Sequence, residues 1–423
     1  MGPKILVLGA GIAGPALAFF LSSSKVFRSI TVIERSPTLR TAGLQLDLRG
    51  PGIDVLKRMG LEPKFRSHAA PELGLQVVDK HGKRRAFFPA NKSGSGSQSF
   101  TSEYEIMRAD FSRILVESGK ERGVIYRFGV EMKGFEEKDD QVDVRFSDGT
   151  TEKFDLVVGA DGVWSATRKM MLGSSASAVV HPLSGMYVAY FTIPRPIQKE
   201  DEYLATLYMA PGKRGLMTRR QSPDKLMVYA GGKSDSEAFK NISHGDVEKE
   251  KEFLATFLKG AGWQTDEVVD GMMKTEEFYC ERLALIKMNS WSRGRVTLVG
   301  DAAYCPTVNT GMGTTCAIVG AYVLAGEIVT HLGNGKRGTE AGHDLSGALE
   351  TYEKKLKPFI TEIQKGVDDR PDNGMLPSSA FAITIMHWVL GIASYLNIDV
   401  GKWMVKGEVK GWNLPEYPEL EGL

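Results

Sequence analysis

The sequence has few cysteines, few histidines and no excess of either charge. Its three cysteines, Cys280, Cys305 and Cys316, lack CxxC spacing, which argues against a disulfide framework and a structural zinc site. The seven histidines show neither an HExxH motif nor paired ligand spacing. Because 53 basic residues balance 52 acidic ones, no overall field attracts a nucleic acid. We therefore expect a cytoplasmic protein that binds no metal and acts on a small molecule.

A glycine-rich segment, GAGIAG, lies close to the start of the chain. Gly9 suits a tight turn, Gly11 leaves the backbone open to a pyrophosphate, and Gly14 allows a helix to approach a strand. The apolar run Lys4–Leu8 precedes it as a buried strand, and Glu34 follows at the end of the next strand. A carboxylate there accepts hydrogen bonds from ribose hydroxyls, which favours FAD or NAD over NADP.

Two further segments follow apolar strands in the same way. GADGVWSATR begins at Gly159 and precedes a helix near Ser165, while GDAAYCP begins at Gly300. Asp301 in the second of these is placed to hold a ribityl hydroxyl. The N–H groups at 311–314 open a helix and can stabilise negative charge on a reduced flavin. The third segment therefore favours a flavin over NAD as the resident cofactor.

The order of elements predicts one domain inserted into another. Short strands separated by Pro, Gly and charged turns fill 186–232, which is typical of an antiparallel sheet, before Rossmann-like chemistry returns at 296–299. The predicted class is α/β, with a Rossmann-like dinucleotide domain, an inserted antiparallel-sheet substrate domain and a C-terminal helical tail. The first domain takes residues 1–72, 98–180 and 278–370, the second takes 73–97 and 181–277, and the tail takes 371–423.

The tail contains a long uncharged stretch. Between Asp372 and Asp399 there is no Asp, Glu, Lys or Arg, although Pro377, His387 and Asn397 dilute the apolar residues. A helix packed on the protein's own surface, interfacial membrane contact through 375–397 and a membrane span are all open readings of this composition. The first is favoured, and the second would make the protein membrane-associated.

The ordered set of motifs resembles a known family of flavoenzymes. The pieces GLQLDLRGPGIDVLKRMGL, MRADFSRIL and WSRGRVTLVGDAAYCP add to the three glycine segments. Together they resemble the single-component FAD-dependent aromatic-ring monooxygenases built like para-hydroxybenzoate hydroxylase, especially the branch of tetracycline-inactivating flavin monooxygenases. The resemblance covers roughly 4–364.

The resemblance implies a set of site residues. Those expected to contact FAD, some of them also the passing nicotinamide nucleotide, are Gly9, Gly11, Ala13, Gly14, Glu34, Arg35, Gln45, Asp47, Arg108, Asp161, Arg168, Asp301, Gly311, Gly313 and Thr314. Tyr190, Arg214 and Tyr229 in the inserted sheet are expected to orient the substrate. A surface arginine and half-buried sheet tyrosines would explain those three equally well.

The chain departs from the family pattern at two positions. Thr315 stands where the family usually has an Asn, and Gly320 stands where it has an Asp further along the helix. Thr315 can still donate a hydrogen bond, so we expect FAD binding to persist with altered tuning of the flavin.

The activity implied by the resemblance is oxygen transfer. NAD(P)H would reduce FAD, O₂ would form a flavin C4a-hydroperoxide, and one oxygen would hydroxylate an aromatic or polyketide-like secondary metabolite. A Baeyer–Villiger oxygenation, a flavin oxidase or dehydrogenase, and a non-catalytic flavin-binding partner share the same FAD-binding motifs. The sequence leaves the substrate, the choice of NADPH or NADH, and the oligomeric state open.

Overall fold

The computed structural model describes residues 2–39, 45–69, 71–90, 104–199, 201–240, 242, 245–333, 345–367, 377–398, 409 and 411–420. The strands are β1 (Lys4–Leu8), β2 (Ser29–Glu34), β3 (Gln45–Asp47), β4 (Gly74–Val78), β5 (Arg84–Pro89), β6 (Glu105–Met107), β7 (Ile125–Phe128), β8 (Met132–Lys138), β9 (Gln141–Phe146), β10 (Thr151–Phe154), β11 (Leu156–Gly159), β12 (Val180–Pro194), β13 (Ala205–Ala210), β14 (Arg214–Ser222), β15 (Lys225–Lys233), β16 (Phe278–Ile286), β17 (Ser292–Arg293) and β18 (Val296–Leu298). The helices are α1 (Ala13–Ser22), α2 (Pro51–Arg58), α3 (Glu62–Ser67), α4 (Arg108–Glu121), α5 (Ala166–Leu172), α6 (Glu237–Lys240), α7 (Val247–Leu258), α8 (Thr265–Lys274), α9 (Asp301–Tyr304), α10 (Gly313–Gly333), α11 (Leu345–Gln364) and α12 (Ala380–Tyr395).

A six-stranded sheet carries the three glycine segments. Its order is β17-β18-β11-β1-β2-β7, and all its pairings are parallel except that between β17 and β18. The predicted βαβ unit is confirmed, because β1, α1 and β2 follow each other and the two strands pair. Strands buried on both faces need apolar side chains throughout, which explains the uninterrupted run that forms β1.

The register of this sheet brings the three segments together. Leu8 at the end of β1 lies beside Gly159 of β11, which in turn lies beside Leu298 of β18. Since parallel strands end at the same edge of a sheet, the loops that follow all leave from that edge. The three segments therefore converge at one edge of the sheet.

A seven-stranded sheet forms the second layer. Its order is β16-β12-β15-β14-β13-β4-β5, and it is antiparallel except for the parallel pair of β4 and β13. The segment before residue 91 and the segment after residue 180 therefore contribute to one sheet, while 91–97 lie outside the described residues. Strand β16 also belongs to this sheet, so the domain boundary predicted at residue 278 comes one strand too early.

The two faces of the larger sheet have different neighbours. Phe191, Val228 and Leu216 belong to a core cluster with residues of α7 and α8. Side chains alternate along a strand, so Tyr190 and Tyr229 project from the opposite face, where β3 lies. Two smaller sheets, β10-β9-β8 and β3-β6, complete the described strands.

The C-terminal part corrects the expectation of a wholly helical tail. After α12, the described residues 411–420 are irregular apart from a short 3₁₀ turn, Pro418–Leu420. Tyr417 and Leu420 join the main core, with Tyr417 packed on α10. Helix α10 is long and apolar enough to cross a membrane, but 83% of that apolar window is buried inside the protein, as in a core helix.

Gly320 makes room for a neighbouring tyrosine. A Cβ atom at Gly320 would lie 1.8 Å from the hydroxyl of Tyr304, and this hydroxyl accepts a hydrogen bond of 3.1 Å from Tyr352. Both tyrosines are buried. The departure from the family's Asp at this position therefore has a steric cause, because no larger side chain fits beside Tyr304.

We predict that Gly320→Ala lowers the free energy of unfolding by about 1–3 kcal/mol, the usual cost of overpacking. The double variant Gly320→Ala/Tyr304→Phe should recover part of this loss, because the phenyl ring removes the nearest atom. Gly333→Ala in the same helix is the control, since no heavy atom of the described residues lies within 4 Å of its added Cβ. Urea denaturation measures all four proteins, and a Gly320→Ala variant as stable as its parent would contradict the packing argument.

Candidate active site

The first glycine segment needs its glycines for different reasons. Gly9 has a φ of +111°, and a Cβ there would lie 2.5 Å from the carbonyl oxygen of Ala160. A Cβ at Gly14 would lie 2.0 Å from the carbonyl oxygen of Gly9. Gly11 differs, because among the described residues only the Arg108 guanidinium lies within 4 Å of its Cβ position, at 3.7 Å. An open backbone beside a cation is what a pyrophosphate requires.

Glu34 ends β2 next to this loop. One carboxylate oxygen accepts a hydrogen bond of 3.0 Å from the N–H of Ala10, and the other accepts one of 3.0 Å from the N–H of Ser36. These bonds orient the carboxylate against the loop, while its partial exposure leaves room for a ribose hydroxyl. Arg35 is exposed at the surface. The expected contact of Glu34 and Arg35 with adenosine stays a prediction.

The second segment is held by hydrogen bonds between its own residues. The Asp161 carboxylate accepts hydrogen bonds from the Ser165 hydroxyl at 2.5 Å and from the N–H of Thr167 at 2.9 Å. Arg168 is fully buried and donates to the carbonyl oxygens of Val163 at 2.6 Å and Ala302 at 2.8 Å. A side chain with no exposed surface cannot line a nucleotide site, so the expected contact of Arg168 with FAD or the nicotinamide is wrong.

The third segment adds a carboxylate next to Arg108. Gly300 has a φ of +66°, and a Cβ there would lie 2.9 Å from the Ala13 side chain, so the first and third segments touch. Burial raises the pKa of Asp301, while the nearby Arg108 guanidinium opposes this shift. Arg108 therefore lies close both to the open backbone of Gly11 and to Asp301.

The start of α10 forms the other side of this site. Gly311 adopts a left-handed conformation with a φ of +65° and is exposed, while Gly313 and Thr314 are partly exposed. Among the described residues, no heavy atom outside the local helix backbone lies within 4 Å of a Cβ built on Gly313. Free N–H groups at the start of a 21-residue helix fit a partly negative flavin edge. These residues fit the expected FAD.

Thr315 has an internal role. Its hydroxyl lies 3.0 Å from the N–H and 3.1 Å from the carbonyl oxygen of Arg49, accepting from the first and placed to donate to the second. Arg49 in turn forms an ion pair with Asp47 of β3. The substitution for the family's Asn thus attaches α10 to the segment after β3, and it holds Asp47 beside the start of α10.

A buried polar network joins β3 to the larger sheet. The N–H of Gln45 donates to the hydroxyl of Tyr229 at 2.9 Å, and the Gln45 side-chain amide donates to Glu105 of β6. Glu105 also accepts a 2.9 Å hydrogen bond from Arg219 of β14, whose guanidinium lies 3.7 Å from Glu72. Two carboxylates therefore share one arginine in a site where all three side chains are buried.

The charged groups of this network shift one another's pKa values. Burial raises the pKa of Glu72 to about 8, although Arg219 acts to lower it and Glu105 adds to the rise. Burial acts to lower the pKa of Arg219, but Glu105 and Glu72 raise it above its usual value. The arginine stays charged, and the network holds an additional proton on Glu72 at neutral pH.

Three tyrosines form a row on the same face. Tyr190 lies between Tyr229 and Tyr279 in the register, with ring centroids 5.2 Å and 6.3 Å away. Burial raises the pKa of Tyr229 to about 12 and raises that of Tyr190 well above its ordinary value. Both hydroxyls therefore stay protonated at neutral pH and are available as donors.

Arg214 does not lie with these tyrosines. It projects from the opposite face of β14, where its guanidinium contacts Phe257 and donates to the carbonyl oxygens of Pro211 at 3.0 Å and Lys259 at 3.1 Å. The expectation that Arg214 orients the same substrate is wrong. Arg219, five residues further along the strand, is the arginine on the tyrosine face.

Sequence reasoning also missed Glu281. It lies two residues after Tyr279 in β16, so it projects from the same face. Burial raises the pKa of Glu281 to about 7, Asp301 adds to the rise, and Arg108 opposes it. The alternation with Tyr279 was the signal that could have found it, but the predicted boundary at residue 278 assigned β16 to the other domain.

The described residues contain no group of three or more His, Cys, Asp or Glu side chains able to hold a metal ion. The three cysteines are buried and free, and burial raises the pKa of all three thiols. None of them is therefore activated as a thiolate near neutral pH.

Comparisons with known proteins agree with this geometry. Residues 3–366 match the family described as FAD binding domain. The FAD-dependent monooxygenase asL4 of Sarocladium schorii is 46% identical over 99% of this chain and 98% of its own length. The flavin-dependent monooxygenase eupH of Phoma sp is 38% identical over 99% and 98%. The crystal structure of the tetracycline destructase Tet(51) superimposes with a TM-score of 0.76 at 28% identity, covering 99% of each chain.

We predict that the buried Glu72 makes stability depend on pH. Because its pKa is raised from 4.5 to about 8 on folding, the folded state binds more protons than the unfolded state in this range. The free energy of unfolding should therefore fall as the pH rises from about 5 to 8, and Glu72→Gln should reduce this fall.

Urea denaturation between pH 5 and 8 measures this dependence. The exposed Glu267→Gln is the control and should follow the parent. An identical slope for the parent and Glu72→Gln would show that Glu72 does not hold the proton.

Proposed function

Since this chain belongs to the FAD-dependent monooxygenases, we propose that it uses NAD(P)H and O₂ to hydroxylate an aromatic or polyketide-like secondary metabolite. One oxygen atom of O₂ would be inserted into a C–H bond of the substrate, so that a hydroxyl group replaces the hydrogen. NAD(P)H would supply a hydride, and the second oxygen atom of O₂ would leave as water. The reaction takes up one proton from solution.

The relatives support a metabolite of this class. Two fungal proteins named as FAD- or flavin-dependent monooxygenases align with this chain over nearly their whole lengths, so the alignment includes the C-terminal tail. Tet(51) is named a tetracycline destructase, and tetracyclines are polycyclic polyketides with phenolic rings. A substrate with fused, electron-rich rings is consistent with both comparisons.

The row of Tyr190, Tyr229 and Tyr279 is the observation that carries the proposal. These side chains offer aromatic surface to a planar ring, and Tyr190 and Tyr229 keep their protons at neutral pH. Tyr229 also contacts β3 through the N–H of Gln45. An aromatic guest beside this row would lie between the larger sheet and the strand expected to pass near the flavin.

The cofactor and the protein have separate tasks. When bound, FAD supplies the hydride acceptor and the activation of O₂. Gly11 and Arg108 would hold the pyrophosphate, Asp301 would hold a ribityl hydroxyl, and the first N–H groups of α10 would face the flavin ring. The neutral tyrosine hydroxyls would orient a substrate oxygen, and the buried aromatic row would keep water away from the reacting atoms.

Glu281 is placed to hold or release a proton at this site. Its carboxyl group lies near Asp301 and Arg108 on the tyrosine face, and its pKa of about 7 makes both protonation states accessible. A group of this kind can accept a proton from a phenol, which makes the ring more electron-rich.

Labelled oxygen tests the reaction. Holoenzyme incubated with ¹⁸O₂, NADPH or NADH and a panel of phenolic polyketides should give a product in which an ¹⁸O-labelled hydroxyl group replaces a hydrogen, so that its mass rises by one ¹⁸O atom. A ring-expanded product would instead identify a Baeyer–Villiger reaction. Hydrogen peroxide without a labelled organic product would identify an oxidase, and either result would contradict the proposed hydroxylation.

The tyrosine row is tested in the same assay. Tyr190→Phe removes a hydroxyl from the proposed substrate face and should lower kcat/KM by about tenfold, the cost of one hydrogen bond of about 1.4 kcal/mol. Tyr208→Phe is the matched control, because its hydroxyl donates to Ala261 on the opposite face of the sheet. Both variants should retain FAD, measured by flavin absorbance. Equal kcat/KM for Tyr190→Phe and Tyr208→Phe would contradict the orienting role.

A further inference from the structure

Helix α12 is attached to the larger sheet by one face. Ala393 lies in a cluster with Val77, Ala86 and Phe88, and Met386 packs against the same cluster. The hydroxyl of Ser394 accepts a 3.0 Å hydrogen bond from the N–H of Phe87 and lies 2.7 Å from the carbonyl oxygen of Phe87. These contacts set the rotation of the helix about its axis.

The opposite face of α12 is apolar and exposed. Phe381, Trp388 and Tyr395 are 75%, 71% and 86% exposed. Ile385, Val389 and Ile392 share their face at helical spacing and are about half exposed. The helix contains no Asp, Glu, Lys or Arg. A continuous apolar strip of this size on one surface indicates an interaction site.

Basic residues border this strip. The turn between β4 and β5 carries Lys80 and Lys83, and β5 begins with Arg84 and Arg85; all four side chains are exposed. Arg85 lies next to the helix, because a Cβ atom built on Gly391 would lie 3.0 Å from the carbonyl oxygen of Arg85.

A second basic turn lies at the start of the helix. The N–H of Gly212 donates to the carbonyl oxygen of Ser378 at 2.9 Å, which brings the turn containing Lys213 there. Among the described residues, two acidic side chains pair with these basic ones: Asp79 lies 2.6 Å from Arg85, and Glu202 lies 3.4 Å from Arg84. The basic residues named for the border therefore outnumber their described acidic partners.

We propose that the exposed face of α12 binds the surface of a lipid bilayer that contains anionic headgroups. An apolar strip with a Trp and a Tyr suits the boundary between headgroups and acyl chains, while the basic turns suit the anionic surface. With 16 residues the helix is shorter than the roughly 20 that a span requires, and its other face is occupied by the sheet. The protein would thus lie on the membrane without crossing it.

The position of α12 connects this surface to the active site. Leu207 and Met209 of β13 pack in the α12 cluster, and the register places Leu207 beside Met217 of β14 and Met217 beside Tyr229. All these side chains project from the tyrosine face of the sheet. An apolar substrate dissolved in the bilayer would therefore meet the protein on the side where the tyrosine row lies.

Vesicle sedimentation with the purified holoprotein tests the proposal. The protein should sediment with vesicles of phosphatidylcholine and phosphatidylserine more than with phosphatidylcholine alone, and added salt should weaken this binding. Trp388→Ser/Ile392→Ser should reduce the partition coefficient by at least about tenfold, since it removes two large apolar side chains. Lys80→Glu/Lys83→Glu should remove the preference for phosphatidylserine. Met273→Ser, which changes an exposed apolar residue of α8, is the matched control and should bind as the parent does.

Three results would overturn the proposal. The first is failure of the holoprotein to sediment with either vesicle, and the second is binding by Trp388→Ser/Ile392→Ser that equals binding by Met273→Ser. The third is a dimer in size-exclusion chromatography that Trp388→Ser/Ile392→Ser converts to monomer, because a second copy would then cover the face. Retained flavin absorbance in every variant shows that the fold is intact, so these outcomes are separate from failure of the proposed hydroxylation.

Discussion

The hydrogen bonds of one buried arginine hold the cofactor site together. Arg168 lies in α5 after the second glycine segment, and its guanidinium donates to carbonyl oxygens of the second and third segments, at Val163 and Ala302. A buried charge is costly unless it is hydrogen-bonded, and among the described residues Nη1 and Nη2 find their acceptors only in these two carbonyls while Nε has no partner, so the two carbonyls are constrained in position. The first segment is held by close contact instead, with Gly9 against Ala160 and Ala13 against Gly300. The three loops form one surface because of these contacts.

The polar network around Arg219 has the corresponding role between the two-stranded sheet β3-β6 and the seven-stranded sheet. Gln45 of β3 bonds to Tyr229 and Glu105, and Arg219 bonds to Glu105 from the substrate sheet. The strand expected near the flavin and the row of tyrosines are therefore attached through buried, directional bonds. A displacement of the β3-β6 sheet relative to the seven-stranded sheet would leave charged groups unpaired in the interior, which disfavours independent motion of these two sheets.

The sequence is sufficient to predict an element where the local residue pattern agrees with the burial of that segment in the fold. The uninterrupted apolar run of β1, the glycines that follow it and Glu34 twenty residues beyond Gly14 were enough to predict the βαβ unit and its dinucleotide loop. In the seven-stranded sheet the sequence indicates that side chains alternate between the two faces. It does not show which face of the sheet each side chain occupies. Choosing Arg214 in place of Arg219 is an error of that kind, because an odd shift along a strand reverses the face.

Other features depend on contacts between distant parts of the chain. The motif containing Arg168 was recognised, but only the packing of α5 against α9 shows that the side chain points into the interior. The pairing of Glu72, Glu105 and Arg219 joins residues up to 147 positions apart, and no local pattern encodes it. The fit of Gly320 to Tyr304 likewise requires knowing which residue faces the helix.

The FAD dissociation constant of Arg168→Leu measures whether this arginine holds the three loops of the cofactor site in place. Titration of the apoprotein with FAD, followed by quenching of flavin fluorescence, gives this constant for the parent, for Arg168→Leu and for Arg293→Leu, whose arginine donates to the carbonyl oxygen of Met171 near the C-terminal end of α5. We expect Arg168→Leu to bind FAD at least about tenfold more weakly, although this side chain is fully buried, because the loops lose a shared donor worth about 1.5–3 kcal/mol. Arg293→Leu should bind as the parent does. A folded Arg168→Leu variant with the parent's affinity would contradict the claim that this arginine holds the site together.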